Sequence, residues 1–80
     1  MKRYYNTEGS AERIRQLRKR SNSTQSMLAE QANISVDTIK RLERGNEGSV
    51  NVLLAIADVY DVSLDYLVGC EDAARENIKK

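Results

Sequence analysis

The segment TQSMLAEQANISVDTIKRLERG, residues 24–45, decides the fold of this chain. It contains two short helical patterns, in which apolar residues recur at spacings of three and four, with a break at Asn33. Thr24 is placed to cap the first helix and Ser35 to cap the second, because a side-chain hydroxyl can accept a hydrogen bond from a free backbone N–H. Asn33 should form the turn, since Asn tolerates positive φ better than most residues with a β-carbon. The segment therefore predicts two short helices joined tightly.

The packing of these two helices should depend on a few apolar positions. Ala29 lies where the helices are expected to cross, and its small side chain lets the backbones approach closely, so that a bulkier residue would overpack the crossing. Ile39 and Leu42 are three residues apart on one side of the second helix and should face the core. Gly45 is expected to end this helix, because glycine readily takes the left-handed conformation that follows a helix C-terminus.

Three further helices are predicted around this pair. The first should run from a cap at Ser10 to Arg20. The fourth and fifth should follow caps at Ser49 and Ser63, and the last should end at Gly69. The fourth helix is the most hydrophobic, so we expect it to be the central element of the core. The chain has no Pro and no strand-like alternation, and the sequence therefore predicts an all-α fold, a compact five-helix domain.

The predicted helices occupy residues 10–69 and leave two short ends. Residues 1–9 combine Lys2, Arg3 and two tyrosines with a polar stretch and lack helical periodicity, so we expect a flexible basic arm. Such an arm could reach into a nucleic-acid groove, or it could be a frayed terminus with little effect. Residues 70–80 are predicted to form a C-terminal tail.

The formal net charge of +1 conceals an uneven distribution of charged residues. Residues 1–46 contain ten Lys or Arg and five Asp or Glu, whereas residues 47–80 contain three and seven. The first part therefore carries a charge of +5 and the second a charge of −4. A basic front half indicates a surface that faces phosphate, and an acidic back half indicates a surface that faces away from it.

The composition argues against several classes of site. The single cysteine, Cys70, cannot form an internal disulfide, and without histidine there is no zinc-ligand set. The carboxylates are scattered and no base lies near the thiol, so we do not expect an enzyme. No signal-peptide pattern and no apolar segment of membrane-spanning length occur. We therefore expect a cytoplasmic protein with no cofactor, no metal, no small-molecule ligand and no membrane partner.

A recognisable motif lies within the central segment, formed by Gln25, Leu28, Ala29, Asn33, Ile39 and Leu42. It is accompanied by IRQLRKR at 14–20, LERG at 42–45 and IADVYDVSLDYLVG at 56–69. In order and spacing, these segments resemble the Cro and lambda-repressor family of helix-turn-helix regulators, also called the XRE family. The resemblance implies a Cro/lambda-repressor-like DNA-binding domain over residues 10–69, with its helix-turn-helix at helices 2 and 3.

In that family the second helix of the motif lies in the major groove of DNA, so the resemblance implies roles for individual residues. Those expected to contact bases are Val36, Asp37, Lys40 and Arg41. Those expected to contact phosphates are Gln25, Ser35, Thr38, Arg44 and Asn46, the last through its backbone. Arginine can bond to guanine twice, and valine can touch a thymine methyl. Asp37 is repelled by phosphate, so it could instead interact with the helix dipole or hold Arg41.

Two more groups of residues have expected roles away from the bases. The resemblance implies a structural ion pair between Arg18 and Glu43, which would join helices 1 and 3. A single module contacts only half of an operator, so a homodimer is expected. Our candidates for the dimer contact are apolar residues of the last helix, Tyr66, Leu67 and Val68. Burial of these side chains within the same chain is the alternative.

The sequence thus predicts a sequence-specific DNA-binding transcriptional regulator. Its simplest form is a repressor that binds a near-palindromic operator of double-stranded DNA as a homodimer, with helix 3 in the major groove. The alternative is a protein-interaction module, such as an antitoxin subunit, in which DNA binding is secondary. The basic residues of helix 3 favour the first interpretation, because a surface that only docks a protein does not need them.

Overall fold

The computed structural model describes residues 5–69, and this part of the chain consists of five α-helices without a β-strand. The helices are α1 (Thr7–Arg20), α2 (Gln25–Ala32), α3 (Val36–Glu43), α4 (Val50–Tyr60) and α5 (Leu64–Leu67). The predicted all-α, five-helix fold is confirmed. No helix in this range is long and apolar enough to cross a membrane. The predicted tail over 70–80, with Cys70, lies outside the described residues.

Four of the helices begin where the sequence predicted, each after a capping hydroxyl. Thr24 Oγ1 accepts from the backbone N–H of the third residue after it at 3.1 Å, and Ser35 Oγ does the same at 3.2 Å. Ser49 and Ser63 make the equivalent bonds at 3.2 and 3.0 Å. Each cap satisfies one of the N–H groups that the first turn of a helix leaves without an intrahelical partner.

The predicted start of α1 at Ser10 is wrong. The helix begins at Thr7, and its cap is Asn6, whose Oδ1 accepts from the Gly9 N–H at 3.0 Å. Ser10 lies inside the helix, with 1% of its surface exposed. Both Asn and Ser cap helices well, so the local sequence offered two starting points. The earlier one is used because the preceding residues are held against the rest of the fold.

Part of the predicted arm over 1–9 therefore belongs to the folded domain. Tyr5 packs against the core, and its hydroxyl accepts a hydrogen bond from the Gly48 N–H at 3.0 Å. The N–H of Asn6 donates to the Val68 carbonyl at 2.9 Å. These two bonds tie the start of the domain to the α3–α4 loop and to the end of α5. The remaining four residues of the arm lie outside the described part of the chain.

The core is aliphatic and draws on all five helices. Its fully buried large side chains are Ile14, Leu28, Ile39, Ile56 and Leu67. The helix α3 packs against α1 and α2, while α4 packs mainly against α2 and α5. Ala29 is buried between α2 and its neighbours, with 5% of its surface exposed. The prediction that α4 is the central element of the core holds for only one side of the helix. On the other side, Val50 and Leu54 remain 61% and 47% exposed.

Within residues 5–69, three residues with a β-carbon adopt the left-handed conformation. Asn33 ends α2 with φ 60°, as predicted, and Asn22 follows α1 with φ 56°. Asp61 ends α4 in the same way, with φ 55°. Asn and Asp are among the few such residues that enter this region at modest cost. The turn between α2 and α3 is thereby made tight, because the Ile34 N–H folds back to the Ala29 carbonyl at 2.9 Å.

Candidate nucleic-acid interface

The helix α3 has one buried side and one exposed side that carries the residues predicted to contact bases. Ile39 is fully buried, whereas Asp37, Lys40 and Arg41 are all exposed. Val36 differs from these three because it is half-buried and packs against the core. Only part of its side chain is therefore open to a thymine methyl.

Asp37 lies in the first turn of α3, where a carboxylate interacts favourably with the positive end of the helix dipole. No hydrogen bond or ion pair within residues 5–69 joins it to Arg41, so the suggested clamp between these two side chains is not formed. Arg41 is exposed, and its side chain has no carboxylate partner among the described residues. Its five N–H donors remain open to another acceptor.

The hydroxyls of Ser35 and Thr38 form a pair at the start of α3. Their oxygens lie 2.8 Å apart, and Ser35 Oγ also accepts from the Thr38 N–H. Two hydroxyl groups carry two hydrogens, and their mutual bond uses one of them. The other hydrogen is left to donate to an external acceptor such as a phosphate oxygen. The structure therefore brings together two of the predicted phosphate contacts.

The backbone N–H of Asn46, which was predicted to contact a phosphate, is bonded within the domain. Its N–H and its side-chain Nδ2 both donate to the Arg41 carbonyl, each at 3.1 Å. Gly45, with φ 96°, turns the chain back, and its own N–H donates to the Leu42 carbonyl at 3.0 Å. These paired bonds form a Schellman end to α3 and occupy the Asn46 N–H. Gly45 could have indicated this bond from the sequence. In the Schellman motif, the residue after the left-handed glycine donates its N–H to a carbonyl of the helix, and here that residue is Asn46.

Arg44, the C-cap of α3, is exposed and makes no side-chain hydrogen bond or ion pair among the described residues. It therefore remains open to a phosphate, and the predicted contact stays a prediction.

The α1 residue Arg18 holds Glu43, the last residue of α3. Arg18 Nε lies 2.8 Å from one carboxylate oxygen of Glu43, and Nη2 lies 3.0 Å from the other. The Glu43 side chain is only 4% exposed and that of Arg18 16%. The hydrogen bonds to Glu43 raise the pKa of Arg18 above its ordinary value, although burial opposes this. Arg18 also donates to the Ser23 carbonyl at 3.0 Å, which extends the contact to the residue before the α2 cap.

Two further contacts of Glu43 were not predicted. Gln25, the first residue of α2, donates from Nε2 to a carboxylate oxygen of Glu43 at 3.1 Å. Arg15 donates from Nη1 to the Glu43 main-chain carbonyl at 2.5 Å, at the negative end of α3. Arg15 is itself paired with Glu12, one turn earlier, and this contact lowers the pKa of Glu12. The spacing of three residues could have indicated the Glu12 pair, but no sequence signal points to the bonds between helices.

The predicted dimer contacts are not equally accessible. Leu67 is fully buried within the chain, which excludes it from a contact with a second copy. The reason is that α5 is a single turn whose apolar side chain fills the core. Tyr66 is half-buried, with the Arg13 guanidinium 4.4 Å from its ring centre. Val68 is half-buried as well and packs against the core.

Other apolar side chains are exposed on α2 and α4. Val50 and Leu54 are one turn apart on α4 and therefore share one side of that helix. Met27 on α2 is also exposed, at 44%. Helical spacing alone did not separate these positions from the buried ones, because α4 is apolar around most of its circumference.

A tight two-helix unit whose second helix is buried on one side and basic on the other defines a helix-turn-helix DNA-binding domain. A family profile described as helix-turn-helix matches residues 14–67, and the chain belongs to that family, in its XRE or Cro type. This membership places the described domain among DNA-binding domains and not among enzymes.

Individual relatives agree with this assignment. The HTH-type transcriptional regulator ImmR of Bacillus subtilis (strain 168) is 30% identical over 66 residues, which cover 81% of this chain and 52% of that protein. The chain thus spans about half the length of this curated relative.

Two solved structures have a similar fold. One is the P22 c2 repressor in complex with a synthetic operator, with TM-score 0.72, 32% identity, and coverage of 78% of this chain and 96% of that one. The other is the restriction-modification controller protein C.AhdI from Aeromonas hydrophila, with TM-score 0.71, 25% identity, and coverage of 80% and 98%.

Proposed function

We propose that this protein is a sequence-specific DNA-binding transcriptional regulator in the cytoplasm, and that it acts as a repressor by occupying an operator. The observation that carries the proposal is the outer side of α3. Lys40 and Arg41 are exposed there without an acidic partner among residues 5–69, while Ile39 and Leu42 anchor the opposite side in the core. A rigid helix with free cationic side chains suits insertion into the major groove.

The likeness to other proteins supports the same proposal. The P22 c2 repressor shares the fold at 32% identity and is bound to an operator in its structure. ImmR is a transcriptional regulator by name, and C.AhdI is a controller protein. The proposed role of this chain as a repressor is therefore supported by this likeness and by the geometry of α3.

We assign the contacts with DNA to two kinds. Base contacts come from Val36, Asp37, Lys40 and Arg41, which begin α3 and continue one turn along it. Phosphate contacts come from Gln25, Ser35, Thr38 and Arg44. The first group selects a sequence, whereas the second fixes the position of the domain on any duplex. Because Val36 is half-buried and Asp37 is anionic, Lys40 and Arg41 should dominate the base contacts.

A homodimer on a near-palindromic operator follows from the size of the domain. One small module covers only about 600–1,000 Å² of surface on DNA, whereas tight specific binding generally needs more. Two copies related by a twofold axis double the contact and match a palindromic site. The partly exposed Tyr66 and Val68 remain our candidates for the contact between copies.

The alternative function is a protein-interaction module, such as an antitoxin subunit, in which DNA binding is secondary. Val50, Leu54 and Met27 favour it, because exposed apolar side chains are common where proteins meet. A docking module has no use for unpaired Lys40 and Arg41, so the first function remains our conclusion.

Selection of bound duplexes from a random DNA pool tests the proposal most directly. We expect a consensus with two related half-sites about 10 base pairs apart, centre to centre, or a multiple of this spacing. Binding of the selected duplex should weaken steeply with salt, because each neutralised phosphate releases counterions. The variant Lys40→Ala should lose affinity for the selected duplex, and Lys19→Ala, which removes the same charge from an exposed position on α1, is its control.

Failure of the wild-type chain to enrich any sequence, or binding that does not change with salt, would contradict the proposal. A consensus with a single half-site would contradict the homodimer alone. Sedimentation of the protein with the selected duplex distinguishes one bound copy from two.

A further inference from the structure

We propose that Glu43 is a positioning residue for DNA binding: its carboxylate orients the Gln25 carboxamide so that this side chain presents an N–H to a phosphate. The inference rests on the proposed function, since it concerns a phosphate contact made by Gln25. It adds a second task to a residue that would otherwise serve only as the partner of Arg18.

The geometry of the carboxylate leaves it little freedom. Both Glu43 oxygens accept from Arg18, at 2.8 and 3.0 Å, and this two-point contact fixes the plane of the group. One of these oxygens also accepts from Gln25 Nε2 at 3.1 Å. The Arg15 guanidinium holds the main-chain carbonyl of the same residue, so that backbone and side chain are both anchored to α1. Gln25 is thus bonded to an acceptor that does not move.

The chemistry of the two acceptors then sets the orientation of the carboxamide. A carboxylate can only accept hydrogen bonds, and so can a phosphate diester. The Gln25 nitrogen carries two hydrogens, so it can donate one to Glu43 and the other to DNA. If the carboxamide were free to rotate, it would present its oxygen to the phosphate part of the time, and two acceptors repel each other. Glu43 excludes that orientation before DNA arrives.

Charge neutralisation explains how an acidic residue can lie beside a phosphate-binding surface. Glu43 is 7% exposed and is neutralised by Arg18, so its negative charge acts on Gln25 at contact distance but is compensated at longer range. Gln25 is also the first residue of α2, where backbone N–H groups lack intrahelical partners and favour an anion. The oriented side chain and the helix start therefore present donors together.

A double-mutant cycle on the selected operator tests this coupling. The variants are Gln25→Ala, Glu43→Gln and the two combined, compared at a temperature at which circular dichroism shows all of them folded. Gln25→Ala should lower affinity about tenfold in the wild-type background, the size of one hydrogen bond to a charged group. In the Glu43→Gln background the same change should cost less than about threefold, because a carboxamide both donates and accepts and therefore no longer holds Gln25 in one orientation. Equal losses in both backgrounds would overturn the proposal.

A measurement on the free wild-type chain keeps the proposal testable even if the variants unfold. The side-chain amide nitrogen of Gln25 should be nearly as rigid as the backbone by ¹⁵N relaxation, whereas that of the exposed Gln31 on the same helix should be mobile. Equal mobility of the two side chains would overturn the inference without any reference to DNA. If the chain instead selects no operator, the proposed function fails, while the relaxation result still decides whether Glu43 orients Gln25.

Discussion

The substitution Glu43→Ala removes a buried acceptor on which three helices converge. Arg18 on α1 and Gln25 on α2 both donate to its carboxylate, and the carboxylate belongs to the last residue of α3. Alanine leaves Arg18 with the Ser23 carbonyl as its remaining acceptor among the described residues. The variant therefore contains a mostly buried guanidinium without its counter-charge, and its main packing is otherwise unchanged.

The expected loss is large for a domain of this size. Removing one partner of a buried ion pair costs about 3–5 kcal/mol. Because 16% of the Arg18 side chain is exposed and can be hydrated, we expect the lower end, about 3 kcal/mol. A chain of 80 residues has a free energy of unfolding of roughly 4–12 kcal/mol. The substitution should thus remove a quarter or more of the total stability and lower Tm by roughly 10–25 °C.

Thermal and urea unfolding followed by far-ultraviolet circular dichroism measure the effect. Glu47→Ala, which removes an exposed carboxylate from the α3–α4 loop, is the matched control and should change Tm by only a few degrees. The urea midpoint should fall without a change in the slope m, because the surface exposed on unfolding stays the same. A Tm of Glu43→Ala within about 2 °C of the control would refute the reasoning, since a buried guanidinium cannot lose its partner at so small a cost.

Three further predictions concern other parts of the domain. Asn33→Gly should raise the free energy of unfolding by about 0.5–1 kcal/mol in urea titrations, because glycine adopts φ 60° without strain. The control is Asn51→Gly, at an exposed position of α4, which should not stabilise the domain. Burial raises the pKa of Tyr60, so the unfolded phenol ionises first as pH rises above about 10, and stability falls from there toward the folded pKa. Urea midpoints between pH 7 and 11 should therefore decline less steeply for Tyr60→Phe, and parallel declines would contradict this. Arg41→Ala should cost ~1–3 kcal/mol of DNA-binding free energy and relax the preference at one base position. Arg44→Ala should instead weaken binding to all DNA sequences alike and reduce the slope of log K against log salt by about one. Selection from a random DNA pool and salt titration of both variants test this separation of base and phosphate contacts.

The helix starts show what local sequence determines. Thr24, Ser35, Ser49 and Ser63 were predicted as caps because each precedes an apolar pattern at a break, and all four bonds are present. Ser10 satisfied the same local rule but is not a cap. The choice of an earlier cap depends on contacts with residues far along the chain, and local pattern contains no information about them.

In the candidate site, too, some features could be predicted from the sequence and others could not. The exposed positions of α3 follow from helical spacing, and the Arg18–Glu43 contact was implied by the family resemblance. The bond from Gln25 to Glu43 and the bond from Arg15 to the α3 carboxyl end join separate helices, so they become visible only when the helices are packed. The burial of Leu67 could not be predicted because one turn of helix is too short for periodicity to distinguish inside from outside.

The bond between the Asn6 N–H and the Val68 carbonyl has a consequence for protein engineering. It brings the two ends of the described domain together, and a β-carbon placed on Gly69 would lie 3.0 Å from that of Asn6. A linker of a few residues can therefore close the domain into a ring, and new ends can be opened in a surface loop. A circularly permuted version of residues 5–69 would retain the α2–α3 unit unbroken, and a fusion partner joined at residue 5 and another joined at residue 69 would leave the domain from a single place.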